Sequence, residues 1–359
     1  MTCQDCQIIE RCDPGPGRLY LAPFLSHTLK ALHKHLRAQG YPVHNGIEGV
    51  LEIRLGNGDL QPLAQRLKDQ LSEAEIRDCQ AALLPEDQSF GIAHLLRTQS
   101  LHALLARACS GWLVDIIETE SLVFHFQPIV HTRRPDQIFA YESLMRGQSP
   151  GEHSLIYPDR LLEQARAARL MFQLDRTARI NAIRQATGHN IRCNIFINFN
   201  PTTIYDPAYC LQTTLNEVRR LGADPQRFVF EVVETEAVSD TAHLRRIVDF
   251  YREAGFRVAL DDLGAGYASL NLLAELRPDF VKFDRAMVKG IDQDPFRQKV
   301  LAKLIEMAGE LDIATIAEGV ETRAEWDWLR GRRVDYVQGY LFARPATPPP
   351  APEVPEDPR

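Results

Sequence analysis

Apolar and polar positions alternate with two different rhythms along this chain, and the rhythm changes near Leu122. Up to about Pro85 the pattern predicts β-α-β-α. Leu19-Tyr-Leu-Ala22 reads as a strand, Ser26 caps a helix from Thr28 to Gln39, and Gly40 ends it. Gly49-Val-Leu-Glu-Ile-Arg-Leu55 alternates as a half-buried strand does, and Gly56-Asn-Gly58 turns the chain. Leu60 to Leu84 reads as an amphipathic helix with Leu63, Leu67 and Leu71 on one face. From about Ile92 to Glu120, Leu101, Leu104, Leu105, Trp112, Leu113 and Ile116 recur at helical spacing, which predicts a helical connector packing onto the region beyond it.

Beyond Leu122 strand and helix patterns alternate. Candidate strands are Leu122–Phe126, Ile138–Tyr141, Asn194–Ile197, Phe228–Phe230, Arg257–Leu260, Phe280–Phe283, Ile313–Ala317 and Tyr336–Gln338. Eight strands at this spacing predict an α/β fold, a TIM-like (β/α)8 barrel. The hairpin-like pair from Leu122 to Tyr141 is the place where one strand would run antiparallel. The expected organisation is a cysteine-containing segment 1–16, a small α/β module 17–90 of regulatory or dimerising type, a connector 91–121, and a barrel 122–345. The tail 346–359 is proline-rich, acidic and without an apolar face, so it is expected to be disordered.

Composition narrows the function classes. The chain has 359 residues, 45% hydrophobic and 25% charged, as a soluble globular protein does. A formal net charge of −7 argues against a broad surface for DNA, RNA or an anionic membrane, while leaving room for a local pocket that takes a small phosphate ligand. The first residues do not form a basic then apolar leader, and no stretch is long enough to span a bilayer, so the cytoplasm is the expected compartment. Seven scattered cysteines do not suggest a disulfide framework. Cys3, Cys6 and Cys12 have a spacing open to three readings: part of a zinc or iron–sulfur site, a redox pair, or inert thiols.

Val258-Ala-Leu-Asp-Asp-Leu-Gly-Ala-Gly266 places two adjacent carboxylates where an apolar strand leaves the core. Alone, Asp261-Asp262 fits equally a solvated turn or a site for Mg²⁺ or Mn²⁺. The other strands decide between them. Glu142 follows the second strand, Asn198 the third, Glu231 the fourth and Asp261 the fifth; Lys282 lies in the sixth, Glu318 follows the seventh and Gln338 ends the eighth. The C-terminal strand ends of a barrel converge on one rim. Carboxylates gathered there need divalent cations, and acids, amide and lysine together suit two-metal hydrolysis of a phosphodiester.

These residues sit in motifs. The region from about Val123 to Pro345 resembles the EAL domain of bacterial cyclic di-GMP phosphodiesterases. The resemblance rests on Phe126-Gln-Pro-Ile129, Tyr141-Glu-Ser-Leu-Met-Arg146, Ile197-Asn-Phe-Asn-Pro201, Glu231-Val-Val-Glu234, Asp261-Asp-Leu-Gly264, Lys282-Phe-Asp284, Ala317-Glu-Gly-Val-Glu321 and Gln338-Gly-Tyr-Leu-Phe342. Ser143 stands where the family's naming motif has alanine, a position that is not a ligand there. The family's Glu-x-Thr-Glu pattern meets a threonine at 235, which would put Val233 at the metal; the interval to Asp261 and the strand phase favour Glu231.

The resemblance implies that Glu142, Asn198, Glu231 and Asp261 hold one Mg²⁺ or Mn²⁺, with Asp261, Asp262 and Glu318 at a second. It implies that Lys282 and Glu318 position and deprotonate a water, supported by Gln338. Gln127, Leu144, Arg146, Asp284, Gln338, Arg344 and Pro345 are the implied substrate contacts, with Arg146 facing a phosphate; Asp175 is a further candidate for a guanine. Glu234 and Glu321 would anchor the loop after the fifth strand, Gly264 to Leu270, whose two glycines make it a hinge toward a homodimer interface on the barrel. The implied activity is hydrolysis of cyclic di-GMP to linear pGpG. The competing reading is a receptor that binds the nucleotide without turnover, with or without a metal- or redox-responsive segment at Cys3, Cys6 and Cys12.

Overall fold

The change of rhythm becomes a division of the chain into two units: one of Ile8–Ser121 with Gln148–Gln173, the other containing Leu122–Gly147 and Leu174–Arg359. The computed structural model describes residues 9, 12, 15–88, 90–96, 98–148, 154–232, 240–264 and 269–354, apart from the side chains of 45–47 and 269.

The N-terminal unit runs β1 (Gly17–Ala22), α1 (Ser26–Ala38), β2 (Val43–Ile47), β3 (Val50–Leu55), α2 (Leu60–Gln70), α3 (Glu73–Asp78), β4 (Gln80–Pro85), α4 (Ile92–Leu95), β5 (Gln99–Ser100), α5 (Leu101–Ala108) and α6 (Gly111–Glu118). Its antiparallel sheet has the order β2-β3-β1-β4-β5. Leu19, Leu21, Leu32, Leu36, Ile53, Leu63 and Leu67 build its core. The long helix expected from Leu60 to Leu84 is instead two helices and a strand. Leu71 is extended, and Ser72 starts α3 with a reciprocal capping box to Glu75. Cys79 is extended again, so Gln80–Pro85 pairs with β1 as a strand.

The segment 148–173 contains β8 (Leu155–Ile156) and α7 (Pro158–Ala168). It belongs with the N-terminal unit because α7 meets α5 and α6: Gln164 Nε2 donates to Ala106 O at 2.8 Å, and Arg160 lies over the Trp112 ring.

The larger unit contains β6 (Leu122–His131), β7 (Arg134–Gln148), α8 (Met171–Gly188), β9 (Asn194–Phe199), α9 (Pro207–Cys210), α10 (Gln212–Arg220) and β10 (Phe228–Val232). It continues with α11 (Thr241–Glu253), β11 (Arg257–Leu263), α12 (Ser269–Leu276), β12 (Phe280–Phe283), α13 (Arg285–Val288), α14 (Pro295–Glu310), β13 (Ala314–Ala317), α15 (Arg323–Gly331) and β14 (Tyr336–Val337). The strands β6-β14-β13-β12-β11-β10-β9-β7 form a ring closed by β6 on β7. β6 is antiparallel to both neighbours, and the other ring pairs are parallel. The expected TIM-like barrel with one antiparallel strand is therefore what forms.

The disorder expected of the tail does not hold for 346–354. Strand β14 pairs with β6 only at Val130 and His131. Farther along β6, Phe126 N donates to Ala346 O at 2.8 Å and Ala346 N to Phe126 O at 3.1 Å. Tyr141 Oη then donates to Pro350 O at 2.8 Å, and Glu353 N to Phe342 O at 2.6 Å. Because β6 and β7 are joined as a hairpin, they carry no helix between them, and backbone pairing with Phe126 together with the Tyr141 hydroxyl holds the tail there. Among the described residues no helix is long and apolar enough to cross a membrane.

Candidate active site

Inside the barrel an apolar layer sits below a polar one, and the period of two along a strand relates them. Ala140, Phe196, Val229, Ala259, Phe280 and Ile316 pack as one cluster, together with Ile129 of the antiparallel strand. Two residues further along the same strands, on the same face, come Glu142, Asn198, Glu231, Asp261, Lys282 and Glu318. Ile129 relates in the reverse sense to Gln127, as its strand direction requires. The apolar layer closes the barrel from below, so the polar groups stand on a dry floor at its C-terminal rim.

Lys282 is the centre of this layer. Its ammonium lies 2.8 Å from Glu231 Oε1, 3.2 Å from Asp261 Oδ1 and 3.7 Å from Glu142 Oε2, and it also pairs with Glu318. Glu142 is held from two further sides: Gln338 Nε2 donates to its Oε2 at 2.6 Å and Asn198 Nδ2 to its Oε1 at 3.1 Å. Gln338 Nε2 also donates to Gln127 Oε1 at 3.1 Å, and Gln127 Nε2 donates to Ala343 O at 3.1 Å. Ser143, in the alanine position of the motif, donates to Phe196 O at 2.7 Å on the opposite face of β7, away from the acids.

Adjacent residues of a regular strand face opposite ways, so Asp261 and Asp262 should not share a site. The register of β11 against β12 shifts between Leu260 and Leu263, and Asp262 adopts φ +55°. This bulge turns the second carboxylate onto the first one's side. Asp261, Asp262 and Glu318 each then offer an oxygen within 4.8 Å of the others.

The electrostatics are those of a site with surplus negative charge. Burial pushes the Glu231 carboxyl well above its usual range against the pull of Lys282, and the charges of Glu142 and Asp261 push the same way. Burial likewise raises Asp261, opposed by Lys282. Burial, with Asp261 and Glu142, drives Glu318 up to about 8. Burial alone would lower the Lys282 ammonium, but the surrounding carboxylates hold it well above the ordinary lysine value. One lysine stands among five acids, and Glu231 Oε2, on a side chain 0% exposed, has no hydrogen-bond partner among the described residues. Oxygen-only donors with an orphaned carboxylate atom and uncompensated charge fit hard divalent cations.

A cleft of about 220 Å³ opens beside these groups, lined by Gln127, Glu142, Leu144, Glu318, Gln338 and Tyr340 among others. Leu144 and Arg146 continue the inward face of β7 toward the rim; Arg146 is buried, with Nη1 donating to Met145 O at 2.7 Å. Arg285 was not singled out from the sequence, yet it also lines the cleft and pairs with Glu321 at 2.7 Å across Gly319. Gly319 has φ +63°, and a Cβ there would lie 2.3 Å from the Arg285 side chain. A Cβ on Gly339 would lie 2.0 Å from Val320 O. Tyr340 was also missed; Arg344, expected at the substrate, stacks over its ring at 4.3 Å. The only sequence signal for either is closeness to Asp284 and Gln338.

Two expected contacts are engaged elsewhere. Asp284 caps α13, accepting from Ala286 N at 2.7 Å. Asp175 accepts from Asn200 N at 2.8 Å and pairs with Arg179. Pro345 leads into the Ala346 pairing on β6. Glu234, most of the hinge from Gly264 to Leu270, Cys3 and Cys6 lie outside the described residues; Cys12 is partly buried and in no disulfide among the described residues.

A family model described as the EAL domain matches residues 111–345. The probable cyclic di-GMP phosphodiesterase PdeG of Escherichia coli strain K12 is 29% identical over 238 residues, which cover 64% of this chain and 46% of PdeG. The cyclic di-GMP phosphodiesterase PdeR of the same strain is 29% identical over 235 residues, 64% of this chain and 34% of PdeR. The chain thus spans less than half the length of these curated relatives. Among solved structures, a standalone EAL protein of Vibrio cholerae O395 with bound c-di-GMP matches with TM-score 0.60 and 34% identity, over 65% of this chain and 95% of that one. Klebsiella pneumoniae BlrP1, solved as a manganese and cyclic di-GMP complex, shares the fold over 92% of this chain and 96% of that one, with TM-score 0.57 and 21% identity.

Proposed function

The chain belongs to the EAL-domain family, and from that premise we propose that it is a phosphodiesterase that opens cyclic di-GMP to linear pGpG with two Mg²⁺ or Mn²⁺ ions. The observation that carries this reading is the polar layer itself, five acids, an asparagine and a lysine on one dry floor. Glu142, Asn198, Glu231 and Asp261 would hold one cation, and Asp261, Asp262 and Glu318 the other. Bound there, the cations supply Lewis-acid charge to the phosphoryl oxygens and lower the pKa of a water.

The remaining work falls to the chain's own side chains. Gln338 and Asn198 fix both oxygens of Glu142, so that ligand cannot swing away. Lys282 supplies a fixed positive charge beside the reacting phosphate, and Arg146 offers a planar fork for a phosphate oxygen pair. Glu318, beside Lys282, would take the proton of the attacking water as its carboxylate, the form that nearby positive charge favours. The water oxygen bonds to phosphorus as the P–O3′ bond breaks, and the 3′ oxygen leaves with the electron pair and takes a proton from solvent to become the hydroxyl.

A homodimer through the barrel belongs to the same reading. On α14 Phe296 is 79% exposed, and Val300 and Leu311 are exposed along the same side at helical spacing. Arg297 and Lys299 lie in the first half of the helix and Lys303 just past its middle, with Glu306, Glu310 and Asp312 toward and beyond its end. An antiparallel pair of such helices matches opposite charges across a two-fold axis. Phe296→Asp should therefore shift sedimentation from dimer to monomer, and a dimer that persists would remove α14 from the interface. The N-terminal unit is taken as regulatory. If Cys3, Cys6 and Cys12 changed together to serine alter neither metal content nor turnover, the redox and metal readings of that segment fall.

The decisive experiment incubates the protein with cyclic di-GMP and Mg²⁺ or Mn²⁺ and follows the product by chromatography. Appearance of pGpG supports the enzyme, whereas nucleotide bound and recovered intact would establish the receptor.

A further inference from the structure

Arg179 is 0% exposed, buried in α8 on the outer side of the barrel wall, and its charge is answered by Asp175 one turn earlier on the same helix. An ion pair taken wholly out of water is costly and is a poor source of stability by itself, so what it holds in place is the question. The Asp175 carboxylate is fully engaged. Its Oδ1 accepts from Asn200 N at 2.8 Å, and its Oδ2 accepts from Arg179 and from Thr203 Oγ1 at 3.3 Å. The single Thr203 hydroxyl hydrogen is shared between Asp175 Oδ2 and Asn200 O, which lies 2.8 Å away, and Asn200 Oδ1 accepts from Thr202 N at 2.9 Å. The turn Asn200–Thr203 at the exit of β9 is thus bolted to a charge pair in the neighbouring helix. Asn198, two residues before that turn, reaches Glu142 Oε1.

We propose that Asp175 and Arg179 are positioning residues: they fix the exit of β9 so that Asn198 and Glu142 present their oxygens together to a divalent cation. This rests on the cation site of the proposed function. It also gives Asp175 a part in metal binding and none in holding a guanine, since both carboxylate oxygens are committed inside the wall.

Outer groups that orient metal ligands typically contribute 10–100-fold in affinity. Asp175→Ala, checked for folding by circular dichroism and measured well below its Tm, should weaken Mn²⁺ binding by calorimetry about 10-fold or more. The double variant Asp175→Asn with Arg179→Met keeps an acceptor for Asn200 N and leaves no stray charge, so it should recover affinity to within about 3-fold of the parent by the same reasoning. If Asp175→Ala does not fold, Thr203→Val reads the same link through a milder loss. Unchanged Mn²⁺ affinity in folded Asp175→Ala, or in Thr203→Val where Asp175→Ala does not fold, overturns the proposal. So does a raised KM for cyclic di-GMP with Mn²⁺ affinity intact, which would return Asp175 to the substrate. Absence of Mn²⁺ binding by the parent protein would instead remove the cation site, and the proposal with it.

Discussion

The two units handle polarity in opposite ways. In the N-terminal unit, among the described residues, the buried polar side chains are Thr28 and Ser110 and none is charged. In the barrel unit Glu142, Arg146, Arg179, Glu217, Glu231, Asp261, Lys282 and Glu325 are all buried. Burying an unpaired charge costs several kcal/mol, so apolar packing alone does not produce such a set. The N-terminal unit is built as a core wants to be. The barrel departs from that optimum along the layer where phosphate chemistry is proposed, with four of these eight residues, and again outside it at Arg146, Arg179, Glu217 and Glu325.

Four variants would break or sharpen that contrast. The largest effect is expected from Asp261→Asn, which removes a charged oxygen from the shared acid cluster and should lower kcat/KM on the order of 1,000-fold; a variant within a factor of ten of the parent would sink the two-cation assignment. Next comes Leu63→Ala, which empties a fully buried place in the N-terminal core and should cost about 3 kcal/mol in urea unfolding of that unit. Third, Glu231→Gln, which removes one buried carboxyl and keeps Lys282 opposite Glu142, Asp261 and Glu318, should strongly impair turnover while leaving the barrel as stable or stabilising it by about 1 kcal/mol; a strongly destabilised variant would mean the layer is there for stability after all.

The smallest effect tests a buried acid outside that layer. Glu217 accepts from Arg220, with burial opposing, and pairs with Arg184, which together lower it from 4.5 to about 2. A depressed carboxyl contributes stability above its unfolded pKa that is lost as pH falls through the folded one. Glu217→Gln should therefore cost less than about 1 kcal/mol at pH 7, with the Arg220 side largely open to water, and the difference should vanish as pH approaches 2. A gap that is constant across that range would assign the effect to packing.

Much of the barrel could be read from residues alone because the period of two survives in them: each of Phe196, Val229, Ala259 and Phe280 precedes its polar partner by two positions. What periodicity does not carry is local backbone choice. Nothing in Asp261-Asp262 announces the bulge that brings the two carboxylates to one side. Ser72 has the chemistry of a cap, but the stripe of Leu63, Leu67 and Leu71 running up to it hides the break. Long-range partners are also invisible: Asp175 looks like any surface acid until Asn200 and Arg179 are folded around it. The same holds for 158–168, whose helix reads as barrel in sequence order and packs with α5 and α6.

The family likeness stops at Pro345, one residue before the backbone pairing of Ala346 with Phe126. A chain trimmed to that likeness would keep every residue of the acid layer and still lose the two backbone hydrogen bonds that Ala346 makes to Phe126 of β6. The freed amide and carbonyl of Phe126 would form an open sheet edge, next to the hairpin that carries Glu142, and open edges recruit other strands. Trimming should therefore show first as self-association of an otherwise competent barrel.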